Sequence, residues 1–209
     1  MSFPLMKKIV LTGIVISVLL LTSGCTSSLM TQSVTGSTVV PAAKAEYAQI
    51  VFMRPSSFGG AIQSSVFDLK QENNQLADDV FVGIVSANTK VLYESPPGNH
   101  LFMVVGENAD FLQANLAPGK TYYALVAPRM GWWKARFSLH PIHREELNSD
   151  DFQDWFESTD WYENTEAAYQ WAEENRKSVE DKKAAYLEKW KNKSKAEKDK
   201  LTLEEGDSQ

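Results

Sequence analysis

The chain lacks the residues that build disulfide scaffolds, metal centres and nucleic-acid surfaces. Its 209 residues include one cysteine, Cys25, so no disulfide can close within the chain. Its only three histidines are His100, His140 and His143. His140 and His143 stand just ahead of Glu145 and Glu146, short of the three or four ligands at fixed spacing that a zinc site needs. No Gly-x-Ser-x-Gly elbow, phosphate loop or dinucleotide fingerprint occurs. Acidic pairs such as Asp150-Asp151 and Glu173-Glu174 read as neighbouring charges on solvated helices. The sequence therefore calls for no catalytic residue, no metal and no cofactor, and it predicts a protein that is not an enzyme. Basic excess is missing as well, since 21 Lys and Arg stand against 27 Asp and Glu. That argues against nucleic acid as a partner, because binding by counterion release needs clustered cations.

An apolar run long enough to span a bilayer is also absent. The uncharged stretch 9–21 holds about 13 residues, whereas a spanning helix needs roughly 20. It follows Lys7 and Lys8 and runs into Ser23-Gly24-Cys25, the layout of a cleaved secretory signal. Leu21-Thr22-Ser23-Gly24-Cys25 resembles the lipobox of bacterial lipoproteins. Leu21 stands four residues before the Cys, and Thr22 occupies the place where the family usually has Leu. The resemblance implies that 1–24 is a signal peptide and that Cys25 becomes the lipidated amino terminus, carrying fatty chains such as palmitate. The membrane is then a partner through that anchor, held stably because several acyl chains bind where one is marginal. Thr26 follows the Cys in place of the Asp that favours inner-membrane retention. The expected address is the bacterial cell envelope, at the periplasmic leaflet of the outer membrane.

Beyond residue 24, charge is unevenly placed. Residues 25–143 carry eight basic and eight acidic side chains, while 144–209 carry eleven basic and nineteen acidic ones. Residues 25–44 are rich in Ser, Thr and small residues, which predicts a flexible tether. Residues 45–143 show short runs of Val, Ile, Phe and Tyr separated by turn residues at intervals near ten. Strands are predicted at 47–53, 64–70, 80–85, 90–93, 100–105, 121–127 and 134–140. The expected class is mainly β: an antiparallel β-sandwich of about seven strands with a C-terminal α-helical extension. Its core would draw on Ile50, Phe52, Val66, Phe67, Val82, Ile84, Leu101, Met103, Leu112, Leu116, Tyr123, Leu125 and Val126. Residues 144–209 form the acidic, Trp-rich extension. A short helix is predicted at 151–157, a long one at 165–200 and disorder at 201–209.

Val51-Phe52-Met53-Arg54-Pro55, Pro97-Gly98-Asn99-His100 and Pro118-Gly119-Lys120-Thr121-Tyr122-Tyr123 make residues 47–142 similar to PEGA-type β-sandwich modules of uncharacterised bacterial lipoproteins. That resemblance implies a surface-exposed, non-catalytic sandwich and supplies no active residues. Large aromatics in a polar segment are then the main functional signal. Trp132 and Trp133 sit beside Gly131 in a predicted hairpin tip, while Trp155, Phe156, Trp161, Tyr162, Tyr169 and Trp171 crowd the start of the extension. They either fold back over one face of the sandwich or form a recognition surface, with Trp132, Trp133, Trp155 and Trp161 as candidate binding residues. The implied role is a non-enzymatic binding or scaffolding module for another envelope protein, with peptidoglycan or another glycan as the alternative ligand and an envelope hydrolase as a third reading.

Overall fold

The computed structural model describes residues 28–33, 39–69, 79–129 and 136–209. Nine strands come first: β1 (Met30–Gln32), β2 (Ala48–Arg54), β3 (Ser64–Leu69), β4 (Val80–Val85), β5 (Thr89–Ser95), β6 (Gly98–Val105), β7 (Ala109–Leu116), β8 (Thr121–Arg129) and β9 (Arg136–Pro141). Helix α1 (Asp150–Glu157), strand β10 (Asp160–Asn164), helices α2 (Glu166–Glu174), α3 (Arg176–Lys191) and α4 (Lys195–Asp199), and strand β11 (Thr202–Leu203) follow. A 3-10 turn at Glu205–Asp207 follows β11. The protein is mainly β, as its strand-forming runs require.

The strands make two sheets, ordered β1-β10-β5-β2-β8-β9 and β11-β7-β6-β3-β4. Side chains alternate across each strand, so each sheet has two faces. Ile50 and Phe52 of β2 join Val66, Phe102, Val104 and Leu112 of the second sheet in one shared core. The rings of Phe52 and Phe102 meet edge to face across that core at 5.2 Å. The intervening residues of β2, Val51 and Met53, are buried on the opposite face with Tyr123, Phe152 and Trp161. On the outer face of the second sheet, Phe67, Leu69, Met103 and Phe111 pack with Val179 and Trp190 of α3. Helix α1 lies against β2 of the first sheet and helix α3 against β7 of the second.

Several expectations need correction. The sheets are mixed rather than wholly antiparallel, because β2 runs parallel to β8, β5 to β10 and β7 to β11. Residues 45–143 hold eight strands, β2 to β9, where about seven are expected, and β1, β10 and β11 lie outside that range and bring the described residues to eleven. Within the predicted tether, Met30–Gln32 is a strand paired with β10. The predicted long helix breaks twice. Asn175 turns its side-chain amide back onto the carbonyl of Trp171, and Ser194 opens a new helix through a capping box with Glu197. Both residues compete with the helix for its own backbone groups, which explains the breaks. Residues 201–209 are ordered rather than disordered. Leu203 is fully buried in the shared core, and the backbone of Gln209 bonds in both directions to Thr121. Of the expected core residues, Leu101 and Leu125 are half-buried and the other eleven are buried. The Pro-Gly turn before β8 works as its chemistry suggests, with Gly119 at a φ of 70° that a side chain would resist.

Candidate functional site

The outward faces of β3 and β4 bring Phe67 and Phe81 together, their ring centroids 5.5 Å apart. Helix α2 lays two more rings over them. Tyr169 meets Phe81 edge to face at 5.8 Å, and Trp171 lies 6.3 Å from the same ring. The first turn of α2 is fastened by the Thr165 hydroxyl, which donates to the carbonyls of Ser28 and Leu29. Helix α3 supplies the opposite wall with Arg176 and Val179, and the space between is a cleft of about 270 Å³. Tyr169 is half exposed there, at 50%.

Charge at this cleft is balanced in place. Lys183 donates to Asp79 at 2.6 Å, with both side chains almost wholly buried. The Arg176 guanidinium grips Glu173 through Nε, at 3.2 Å, and through Nη2. That carboxylate holds the guanidinium above its ordinary pKa. A second cleft of about 170 Å³ adjoins the first and shares Val179 as a wall. It presents Trp171 beside the neutral side chains of Ser65, Asn175 and Ser178, with Glu107 also in its lining and Lys182 donating to the Ser178 hydroxyl at 3.3 Å.

The aromatics singled out in the sequence divide between two places. Trp161 is 9% exposed, and Trp155 is half-buried against the same outer cluster of the first sheet. There Lys90 holds the end of α1. Its ammonium donates to the carbonyls of Phe156 and Thr159 and lies 4.1 Å from the Phe156 ring and 5.0 Å from the Trp161 ring. Burial pushes the Lys90 pKa down. Cys25, Trp132 and Trp133 lie outside the described residues. Tyr169 and Trp171 belong instead to the paired clefts, with Phe81, Asp79 and Arg176 as partners. A run of aromatics could be seen in the sequence, but which rings would face a cleft depended on where the helix broke at Asn175.

The remaining polar clusters fasten the fold. His100 places Nδ1 2.9 Å from Asp68 and Nε2 2.9 Å from the carbonyl of Pro96, while the Tyr93 hydroxyl of the other sheet donates to the same Asp68. Arg54 is fully buried and donates to the carbonyls of Phe58, Gly59 and Ile62, which holds the loop after β2. His143 places Nδ1 3.0 Å from Asp207 and so secures the C-terminal segment, whereas His140 is exposed on β9. Among the described residues no group of three His, Cys, Asp or Glu could hold a metal ion. No described helix is long and apolar enough to cross a membrane. Comparison with known proteins finds no matching family model, no matching curated protein and no matching solved structure.

Proposed function

We propose that this protein is a non-enzymatic lipoprotein of the bacterial envelope, anchored through Cys25 at the periplasmic face of the outer membrane and acting as a binding module. In this reading the two sheets work as a β-sandwich, as the resemblance to PEGA-type modules implies, and 144–209 is the segment that turns the sandwich into a binding surface. The observation that supports binding is the aromatic and ionic cleft where α2 and α3 meet β3 and β4. A half-exposed ring backed by Phe81, which itself packs on buried Phe67, is a rigid contact surface, and ordering it on binding costs little conformational entropy. The address rests on the Leu21 to Cys25 pattern.

Fractionation tests the reading. Acyl chains hold by apolar burial and resist salt, whereas surface charge attraction is screened. The expected result is that the wild-type chain stays with membranes at high salt and that Cys25→Ala is released folded into the soluble fraction. A Cys25→Ala chain that remains membrane-bound in high salt would refute the anchor.

A further inference from the structure

We infer that the paired clefts between the second sheet and helices α2 and α3 bind a short stretch of an uncharged glycan, with consecutive sugar rings lying over Tyr169 and Trp171. The inference rests on the binding-module reading and names its ligand class.

The argument begins with charge. The cleft with Tyr169 contains the carboxylates of Asp79 and Glu173, but Lys183 neutralises the first at 2.6 Å and Arg176 bonds the second. An anionic ligand would meet those carboxylates, and a cationic one would have to displace buried or bidentate partners. Neither charge sign gains anything here. What the walls offer is an aromatic face beside groups that donate and accept hydrogen bonds. A sugar ring presents the complement, an apolar C–H face edged with hydroxyls that both donate and accept. Aromatic surface with a few fixed polar groups is the usual make-up of a small-ligand site.

Arrangement then argues for more than one sugar. The two clefts, of about 270 and 170 Å³, share Val179 and each carries one aromatic of α2. Tyr169 and Trp171 both rest on Phe81, at 5.8 and 6.3 Å, so a single half-buried ring sets the spacing of both platforms. The second cleft sets one cation, Lys182, and one anion, Glu107, among uncharged Ser65, Asn175 and Ser178, so it too has no charge excess, and its hydroxyl and amide groups suit the hydroxyl or acetamido groups of a sugar. At the proposed address, the uncharged glycan of that kind is the N-acetylhexosamine strand of the cell wall.

The test is co-sedimentation of the full-length, detergent-solubilised protein with purified, protein-free peptidoglycan sacculi, with a tetramer of N-acetylglucosamine as competitor. The wild-type chain should pellet, the tetramer should release it, and binding should hold between about 50 mM and about 500 mM salt, where electrostatic attraction would fade. Tyr169→Ala should weaken binding about tenfold, the effect of losing one central aromatic contact. Tyr169→Phe should restore it, and Tyr47→Ala, at an exposed tyrosine outside both clefts, should change nothing. Failure of the wild-type chain to pellet, loss of binding at high salt, or indifference to Tyr169→Ala would overturn the inference. If Cys25→Ala leaves the membrane while sacculus binding fails, the anchored module stands and the glycan falls. If sacculi are bound but Cys25→Ala stays on membranes at high salt, the reverse holds.

Discussion

Replacing Trp190 by Ala tests whether α3 is held by its apolar face or by its own helical propensity. Trp190 is 6% exposed and packs on Phe111 with ring centroids 5.9 Å apart. An indole of this kind buries about 200 Å², and removing it from a packed site costs about 3 to 5 kcal/mol. The lower end applies, because Tyr186, Leu187 and Leu201 border the site only half-buried and can close part of the gap. A 16-residue helix is marginal alone, so α3 must draw its stability from docking. Its remaining anchors, Val179 and the Lys183–Asp79 pair, lie toward its start. The loss should therefore concentrate in 186–203. Urea denaturation followed by far-ultraviolet circular dichroism should show about 3 kcal/mol less stability. Hydrogen exchange should rise in 186–203 before it rises in β2 or β8. A loss below about 1 kcal/mol, or exchange that rises equally everywhere, would refute the docking argument.

Two further perturbations probe other fasteners. Burial pushes the Tyr123 hydroxyl up to about 12, so its neutral form is favoured in the folded chain. An unfolded tyrosine loses its proton near pH 10, so this stabilisation is complete below that pH and is lost as pH rises toward 12. The loss amounts to about 2 to 3 kcal/mol. Tyr123→Phe should flatten the fall in melting temperature across that window while leaving part of it, because burial raises Tyr93 and Tyr122 in the same direction. An alkaline profile unchanged in Tyr123→Phe would contradict this account. Lys183→Met removes the ammonium that donates to Asp79 while Arg176 still acts on that carboxylate, and it should cost about 2 to 3 kcal/mol by chemical denaturation. The double variant Lys183→Met with Asp79→Leu should recover most of that. If the double variant is as unstable as the single one, the cost does not come from the buried carboxylate of Asp79.

Strands whose side chains suit a pleated surface were legible. Val80–Val85 matches its predicted bounds, and β2, β3 and β8 shift by a residue or two. Strand β7 escaped because Asp110, Gln113 and Asn115 dilute its pattern, although Leu112 and Leu116 were marked as core. Strand β10 reads Asp-Trp-Tyr-Glu-Asn and has no strand signal of its own. It is a strand because β5 and β1 supply its backbone partners. Parallel pairing was equally invisible, since a strand's side-chain alternation is the same whichever way its neighbour runs. At the candidate site, Tyr169 and Trp171 stood out as rings in a polar segment. Phe67 was visible only as core, and its meeting with Phe81 follows from a register that the sequence does not encode locally.

The role of 144–209 follows from the two outer faces. Val51, Met53 and Tyr123 on one sheet pack with Phe152 of α1 and Trp161 of β10, and Phe67, Leu69, Met103 and Phe111 on the other pack with Val179 and Trp190 of α3. Left bare, both faces would be large exposed apolar patches of the kind soluble domains avoid. The acidic excess of this segment sits on its solvent side, where Glu173, Glu174, Asp181 and Glu188 are exposed, so charge there is compatible with tight docking. The clefts lie on the seam between the segment and the sheet. A ligand spanning that seam touches both sides at once and binds only when they are joined. Its binding energy therefore adds to the stability of the docked helices, by mass action, as the logarithm of the ratio of its concentration to its dissociation constant. Protection of α2 and α3 amides from exchange is thus a direct readout of ligand capture, separate from any signal at the sheets.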